Sequence, residues 1–278
     1  MRVWLRTRLP LNIMADPSNA SKLTPPLKVF SVDALAVRLF ATAAEMAWDA
    51  AVAASDILAQ AIAHRGEARV LLATGNSQIE FLEAAIALNR VDWSRVVFFH
   101  LDEYLGIPAT HPASFRSYLR DRVENQVHPA AFHYINGDAI EPLKECDRYS
   151  QLLLENPIDL CCLGIGENGH LAFNEPGIAD FNDPYPIKLV KLAPATHQQL
   201  VNQGQFPALE SVPKYAFTLT IPQLCAAQQI ICLAPSRRKT QIVQQMLSHP
   251  ITPDIPATIL RSQSHATLFL DQDSAGEG

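Results

Sequence analysis

The chain has 278 residues, of which 48% are hydrophobic and 18% charged, with a formal net charge of −6. That length and apolar content allow a large buried core and exclude a globally disordered chain. The negative balance argues against a nucleic-acid partner and against an anionic membrane surface, but leaves room for a phosphorylated small substrate held by a few local donors.

Residues 1–26 begin with basic residues and a short apolar stretch broken by Pro10, which is too short for a secretory h-region. They read as a disordered leader, or as an upstream start ahead of Met14. Lys28–Val32 is expected to form a first strand, and the alanine-rich stretch from Asp33 to His64 a helix. Val70–Thr74 is a buried-strand run ending in Gly75-Asn76-Ser77, followed by a helix over Ile79–Leu88. Val96–Leu101 is a second such run, ending at Asp102-Glu103, and a helix starts at Ser114. Ile158–Ile165 forms a strand that breaks at Gly164 and Gly166. Further strands are expected at Ile187–Leu192, Ala216–Ile221, Gln229–Leu233 and Thr267–Leu270, with a helix over Ser236–Leu247 and a surface loop at 249–256. Residues 272–278 read as a disordered tail, which leaves 27–271 as one domain.

Apolar strand runs without alternation, separated by helical stretches, imply a mostly parallel sheet covered on both faces. The expected fold is therefore a single doubly wound, Rossmann-like α/β domain, with ligands at the carboxyl ends of its strands. No run of eighteen apolar residues is present to span a membrane. The five cysteines include no Cys-x-x-Cys pair and read as reduced core residues, which suits the cytoplasm. No metal or cofactor is expected.

Three strand ends carry polar, glycine-rich segments. Thr74-Gly75-Asn76-Ser77 opens a helix, where free backbone N–H groups can bind an anion; an ordinary capped turn is the alternative. Asp102 and Glu103 place two carboxylates at the end of a buried strand, where partial burial makes a carboxylate a better base; solvated loop acids are the alternative. The third segment, Gly164 to Pro176, sets His170 and Glu175 five residues apart after a turn containing Gly166, Asn168 and Gly169.

Together these segments resemble the glucosamine-6-phosphate deaminase family, within the group that includes 6-phosphogluconolactonases. The resemblance spans about residues 28–271. It is carried by Leu101-Asp102-Glu103-Tyr104-Leu105-Gly106, His111-Pro112-Ala113-Ser114-Phe115, Gly169-His170-Leu171-Ala172-Phe173-Asn174-Glu175-Pro176 and Val212-Pro213-Lys214-Tyr215-Ala216. It implies conversion of glucosamine 6-phosphate and water to fructose 6-phosphate and ammonia. The residue matching Asp102 would move a proton between C2 and C1. The histidine matching His170 would open the ring with the acid matching Glu175, beside Asn168, where some members carry aspartate. The turn Thr74–Ser77 and a basic residue matching Arg238, with Lys239 the neighbouring candidate, would hold the phosphate. A second phosphate arginine of some members has no counterpart in Gln198–Gln205. Lys188 and Lys191 are the nearby candidates for an allosteric cluster, and read better as a solvated strand edge. A lactonase on the same fold and a non-catalytic sugar-phosphate-binding regulator are the alternatives.

Overall fold

The computed structural model describes residues 24–202 and 204–277. β1 (Lys28–Val32) and β2 (Leu35–Phe40) form a hairpin that leads into α1 (Ala43–Arg65). There follow β3 (Ala68–Leu72), α2 (Asn76–Leu88), β4 (Val96–His100), β5 (Asp102–Tyr104) and α3 (Phe115–Leu119). The last continues through a π-helical stretch, Arg120–Glu124, into α4 (Asn125–Val127). Then come β6 (Ala131–His133), α5 (Pro142–Leu154), β7 (Leu160–Gly164), β8 (Ile187–Lys191), α6 (Pro194–Asn202), β9 (Tyr215–Leu219) and α7 (Ile221–Cys225). The chain ends with β10 (Gln229–Leu233), α8 (Thr240–Ser248), β11 (Ala266–Asp271) and α9 (Gln272–Ala275).

Eight strands form one sheet in the order β1-β2-β11-β10-β7-β3-β4-β6, with β1–β2 as its antiparallel pair. The α/β architecture expected from the runs of buried apolar residues is present: β3 and β4 are buried at every position, and their facing residues feed cores on both sides of the sheet. β7 sits between β3 and β10, so the chain reverses its direction of winding there and the carboxyl ends of β3, β7 and β10 meet around one crevice.

Four expectations are corrected. The helix expected from Asp33 begins only at Ala43, because Leu35, Val37 and Leu39 alternate inward as a strand and Thr42 forms a capping box with Glu45. The strands at Ile187–Leu192 and Ala216–Ile221 do not enlarge the main sheet. They pair antiparallel as β8 and β9, and with β5 make a separate three-stranded sheet. α5 was not expected from its polar sequence, but Pro142 starts it and Cys146, Tyr149 and Leu153 recur on its buried face. The tail expected to be disordered instead forms α9, capped by the Asp271 carboxylate, and buries Ser274; Lys28 pairs with Glu277 at 2.8 Å. Residues 1–23, most of the expected leader, lie outside the described residues.

Candidate active site

β4 enters the crevice fully buried and, one residue on, becomes β5 of the small sheet. Successive strand residues face opposite ways, and this separates the two adjacent carboxylates. Glu103 turns inward and is wholly buried. It accepts hydrogen bonds from Ser114 Oγ (2.7 Å) and from the backbone N–H groups of Tyr104 (2.9 Å), Arg116 (3.0 Å) and Phe115 (3.2 Å), and pairs with Arg116 Nε at 3.3 Å. It satisfies the start of α3, so it is a structural anchor. A Cβ on Gly137 would fall 2.8 Å from the Glu103 side chain, so only glycine lets this strand pass.

Asp102 is 8% exposed, and its carboxylate has no hydrogen-bond or ion-pair partner among the described residues. Burial, with the neighbouring Glu103 charge second, holds its carboxyl well above the ordinary carboxylate range. The preceding His100 is buried and accepts the Ile135 N–H at Nε2 (2.8 Å). Burial foremost, then the charge of Arg116, push its pKa down to about 3, so it stays neutral. Tyr149 accepts the His100 N–H at 2.9 Å, which fixes the strand end from which Asp102 emerges.

The loop after β7 closes on itself: the Gly166 N–H donates to the His170 carbonyl (3.0 Å) and the Gly169 N–H to the Gly166 carbonyl (3.0 Å). The imidazole of His170 lies against Gly166, where a Cβ would be 2.1 Å from the ring. Below the turn, Ala257 N–H donates to the Gly169 carbonyl (2.8 Å), and Ile255 packs against Gly169, so part of the expected surface loop supports the site. His170 Nδ1 lies 2.7 Å from Asn168 Oδ1 and 3.3 Å from Glu175 Oε1. Both oxygens accept only, so Nδ1 carries the proton and Nε2 of the neutral ring is left as a base. Asn168 is oriented by donating its Nδ2 to Glu175 Oε2, and Thr196 Oγ1 adds a bond to Glu175 Oε1 (3.4 Å). Burial would raise the Glu175 pKa, but the His170, Asn168 and Thr196 contacts together carry it below its ordinary value.

Two residues without a role in the sequence reading join these parts. Asn174, wholly buried, donates to the carbonyls of Leu171 and Leu219 (both 2.8 Å). Thr218 Oγ1 accepts the Phe173 N–H (3.1 Å) and stands opposite Asp102 in the β5–β9 register. The strand that bonds to Asp102's strand therefore also carries the His170–Glu175 loop. Asn174 was visible only as part of the Phe-Asn-Glu-Pro stretch.

Thr74 and Ser77 are half-buried and Gly75 and Asn76 exposed at the start of α2, whose N-cap Gly75 supplies no side-chain bond. Ser77 Oγ lies against Gly164 of β7: a Cβ there would be 2.8 Å away. The two basic candidates part company. Arg238 is exposed and lines an outer hollow with Arg237, Gln241, Gln244 and Asp273. Lys239 is half-buried; burial lowers its pKa, while Glu167 of the glycine turn and Cys232 act the other way. The 3₁₀ turn Arg237–Lys239, entered through Ser236 at φ 81°, turns the second of these neighbours inward. The two adjacent basic residues thus stand in different surroundings, Arg238 exposed and Lys239 half-buried. Lys188, expected as a solvated edge residue, is instead partly covered and paired with Asp183 at 2.7 Å. Gln203 lies outside the described residues.

A sequence profile of the glucosamine-6-phosphate isomerases/6-phosphogluconolactonase family matches residues 41–269. The chain belongs to this family. Among family members, the glucosamine-6-phosphate deaminase of Lactobacillus delbrueckii subsp. bulgaricus is 34% identical over 223 residues, covering 80% of this chain and 92% of that protein. The deaminase of Oenococcus oeni is 37% identical over 205 residues, 73% of this chain and 84% of that one. A solved monomeric glucosamine-6-phosphate deaminase superposes with a TM-score of 0.79 at 30% identity, covering 87% of this chain and 99% of its own. The 6-phosphogluconolactonase of Trypanosoma brucei shares the fold, with a TM-score of 0.71 at 16% identity and coverage of 90% and 99%.

The geometry of Asp102 carries a stability consequence. A carboxyl whose folded-state pKa is raised disfavours the folded state once pH exceeds its ordinary value near 4. Asp102→Asn removes that charge without changing shape. At pH 7 the variant is expected to melt about 2–4 °C above the native protein, the shift that roughly 1 kcal/mol gives in a chain of this size. The gap should shrink as pH falls and close below about 4, where the aspartate is protonated in the folded and unfolded chain alike. Thermal melts across pH check this; equal melting temperatures at pH 7 would contradict the unpaired burial of Asp102.

Proposed function

We propose that the chain is a glucosamine-6-phosphate deaminase, converting glucosamine 6-phosphate and water to fructose 6-phosphate and ammonia. The observation that carries the reading is the unpaired, buried Asp102, tied through β9 to a His170–Asn168–Glu175 relay whose free ring nitrogen is a base.

The cyclic sugar has no acidic C2 proton until its hemiacetal opens. His170 Nε2 takes the proton of the C1 hydroxyl and returns it to the ring oxygen. The imidazolium formed in between is stabilised by Glu175, whose charge the relay retains. In the open chain the C1 carbonyl acidifies the C2 hydrogen. Asp102 removes it, and the raised proton affinity of its carboxylate brings it near the strength useful for a base at neutral pH. Asp102 then delivers the proton to C1 while the C1 oxygen takes a proton from the amine nitrogen, which leaves a C1 hydroxyl and an imine at C2; water adds there and ammonia departs. One proton has moved from C2 to C1, and one water has replaced the amine.

Lys239 and the Thr74–Ser77 turn hold the phosphate. An ammonium partly stripped of water interacts more strongly with an anion than a solvated guanidinium does, which is why Lys239 is chosen over Arg238. The free, mostly buried cysteines and the absence, among the described residues, of any helix long and apolar enough to cross a membrane fit a cytoplasmic enzyme of amino-sugar catabolism. A lactone already has an electrophilic carbonyl and needs no ring-opening proton transfer, which leaves Glu175 without an evident task and disfavours lactone hydrolysis on the shared fold.

The purified protein is expected to release ammonia from glucosamine 6-phosphate without added metal, and to leave 6-phosphogluconolactone at its spontaneous rate. Glu175→Gln should lower kcat by about 10²-fold, the low end of proton-transfer contributions. Lactone hydrolysis without ammonia release would overturn the reading, and binding without either activity would favour a regulator.

The two basic neighbours make a second test. Lys239→Ala should raise KM about ten- to a hundredfold, the scale of a charge-assisted bond, with a smaller change in kcat. Arg238→Ala should stay within about twofold. The reverse pattern would return the phosphate to Arg238.

A further inference from the structure

Gln78, the residue after the Thr74–Ser77 turn, is polar and wholly buried. Its Nε2 donates to the Leu163 carbonyl of β7 (3.1 Å) and to Ser77 Oγ (3.1 Å), and its Oε1 has no partner. A carbonyl oxygen only accepts, so the amide nitrogen must face Leu163, and this fixes which way the amide lies. The same nitrogen then occupies a lone pair of Ser77. The Ser77 hydroxyl therefore keeps its proton, and no described residue accepts it. The hydroxyl is also held in place from the other side, because Ser77 Oγ rests on the bare backbone of Gly164. A hydroxyl that already accepts one hydrogen bond is polarised into a better donor for the next.

We propose that Gln78 is a positioning residue for the substrate phosphate: bonded to β7, it fixes the Ser77 hydroxyl as a donor to the anion and touches no substrate atom itself. The proposal rests on the sugar-phosphate reading of the site. Its Oε1 argues against a purely structural role. An unpaired buried oxygen is unfavourable, and an apolar side chain of the same length would avoid it. Gln78 is a poor choice for holding a core and a good one for orienting a hydroxyl. It also supplies phosphate affinity from within the sheet, in a chain whose segment Gln198–Gln205 contains no arginine.

The test is a double-mutant cycle on the full chain, with inorganic phosphate as the probe and calorimetry as the readout. Gln78→Met should weaken phosphate binding about tenfold, with a melting temperature equal to or above the native value. Ser77→Ala should weaken it by as much or more. The double variant should bind no more weakly than Ser77→Ala alone, because Gln78 acts only through that hydroxyl. Independent, additive losses would overturn the proposal. So would native affinity in Gln78→Met, with or without a fall in melting temperature, or a native protein that binds no phosphate. If Gln78→Met fails to fold, Ser77→Ala decides alone, and unchanged affinity there refutes the role. The deaminase reading fails separately: a native protein that shows the coupling but releases no ammonia keeps Gln78 in this role and loses the assigned reaction.

Discussion

The site depends on one largely buried carboxylate without a protein partner. Burying an ionised group is costly, and proteins normally offset it with a counter-charge or with donors. Here the donors go to the neighbour. Glu103 takes four hydrogen bonds and the Arg116 guanidinium, while Asp102, facing the other way, takes none. The arrangement concentrates basicity on Asp102 and makes Glu103 the rigid post that holds it. Arg116 Nη1 is committed to Asp138 at 2.7 Å, so it does not swing across to neutralise Asp102.

The small antiparallel sheet makes this geometry usable. The main sheet delivers the Gly164–Gly169 turn and the Thr74–Ser77 turn to one crevice through parallel strands. Asp102 belongs to the other sheet, and the His170–Glu175 loop is bonded to that sheet through Asn174 and Thr218. The proposed ring-opening relay and the proposed proton carrier thus share one support. The proposed phosphate recognition sits on the elements of the main sheet, which permits an open-chain sugar to be anchored at one end and reacted on at the other.

Much of this was legible in the residues. Unbroken apolar runs such as Val96-Val97-Phe98-Phe99 announced a parallel sheet, because only strands covered on both faces lack alternation. The polar, glycine-containing ends of those runs marked the crevice. Other features were not legible for physical reasons. Strands β8 and β9 have the composition of the main strands, and only their hydrogen-bond partners place them in a second sheet. Arg238 and Lys239 are adjacent and alike in charge, and a 3₁₀ turn decides which one faces inward. Gln78 carries no local signal, since its meaning comes from a carbonyl 85 positions away. The alanine-rich run from Asp33 hid a strand, because its inward alternation spans only six residues.

The central claim is that Asp102 carries the proton between adjacent carbons, and it is tested most directly by hydrogen exchange rather than by turnover. Incubated with fructose 6-phosphate and ammonia in deuterium oxide, the native protein should place deuterium at C1, because removal of a C1 proton from the C2 imine is the reverse of the proposed delivery step. Nuclear magnetic resonance of the recovered sugar measures it. Asp102→Asn, folded and still binding the sugar phosphate, should slow this exchange by about 10²–10⁴-fold, the range assigned to a positioned general base. Exchange at near the native rate in that variant would contradict the assignment of the proton to Asp102.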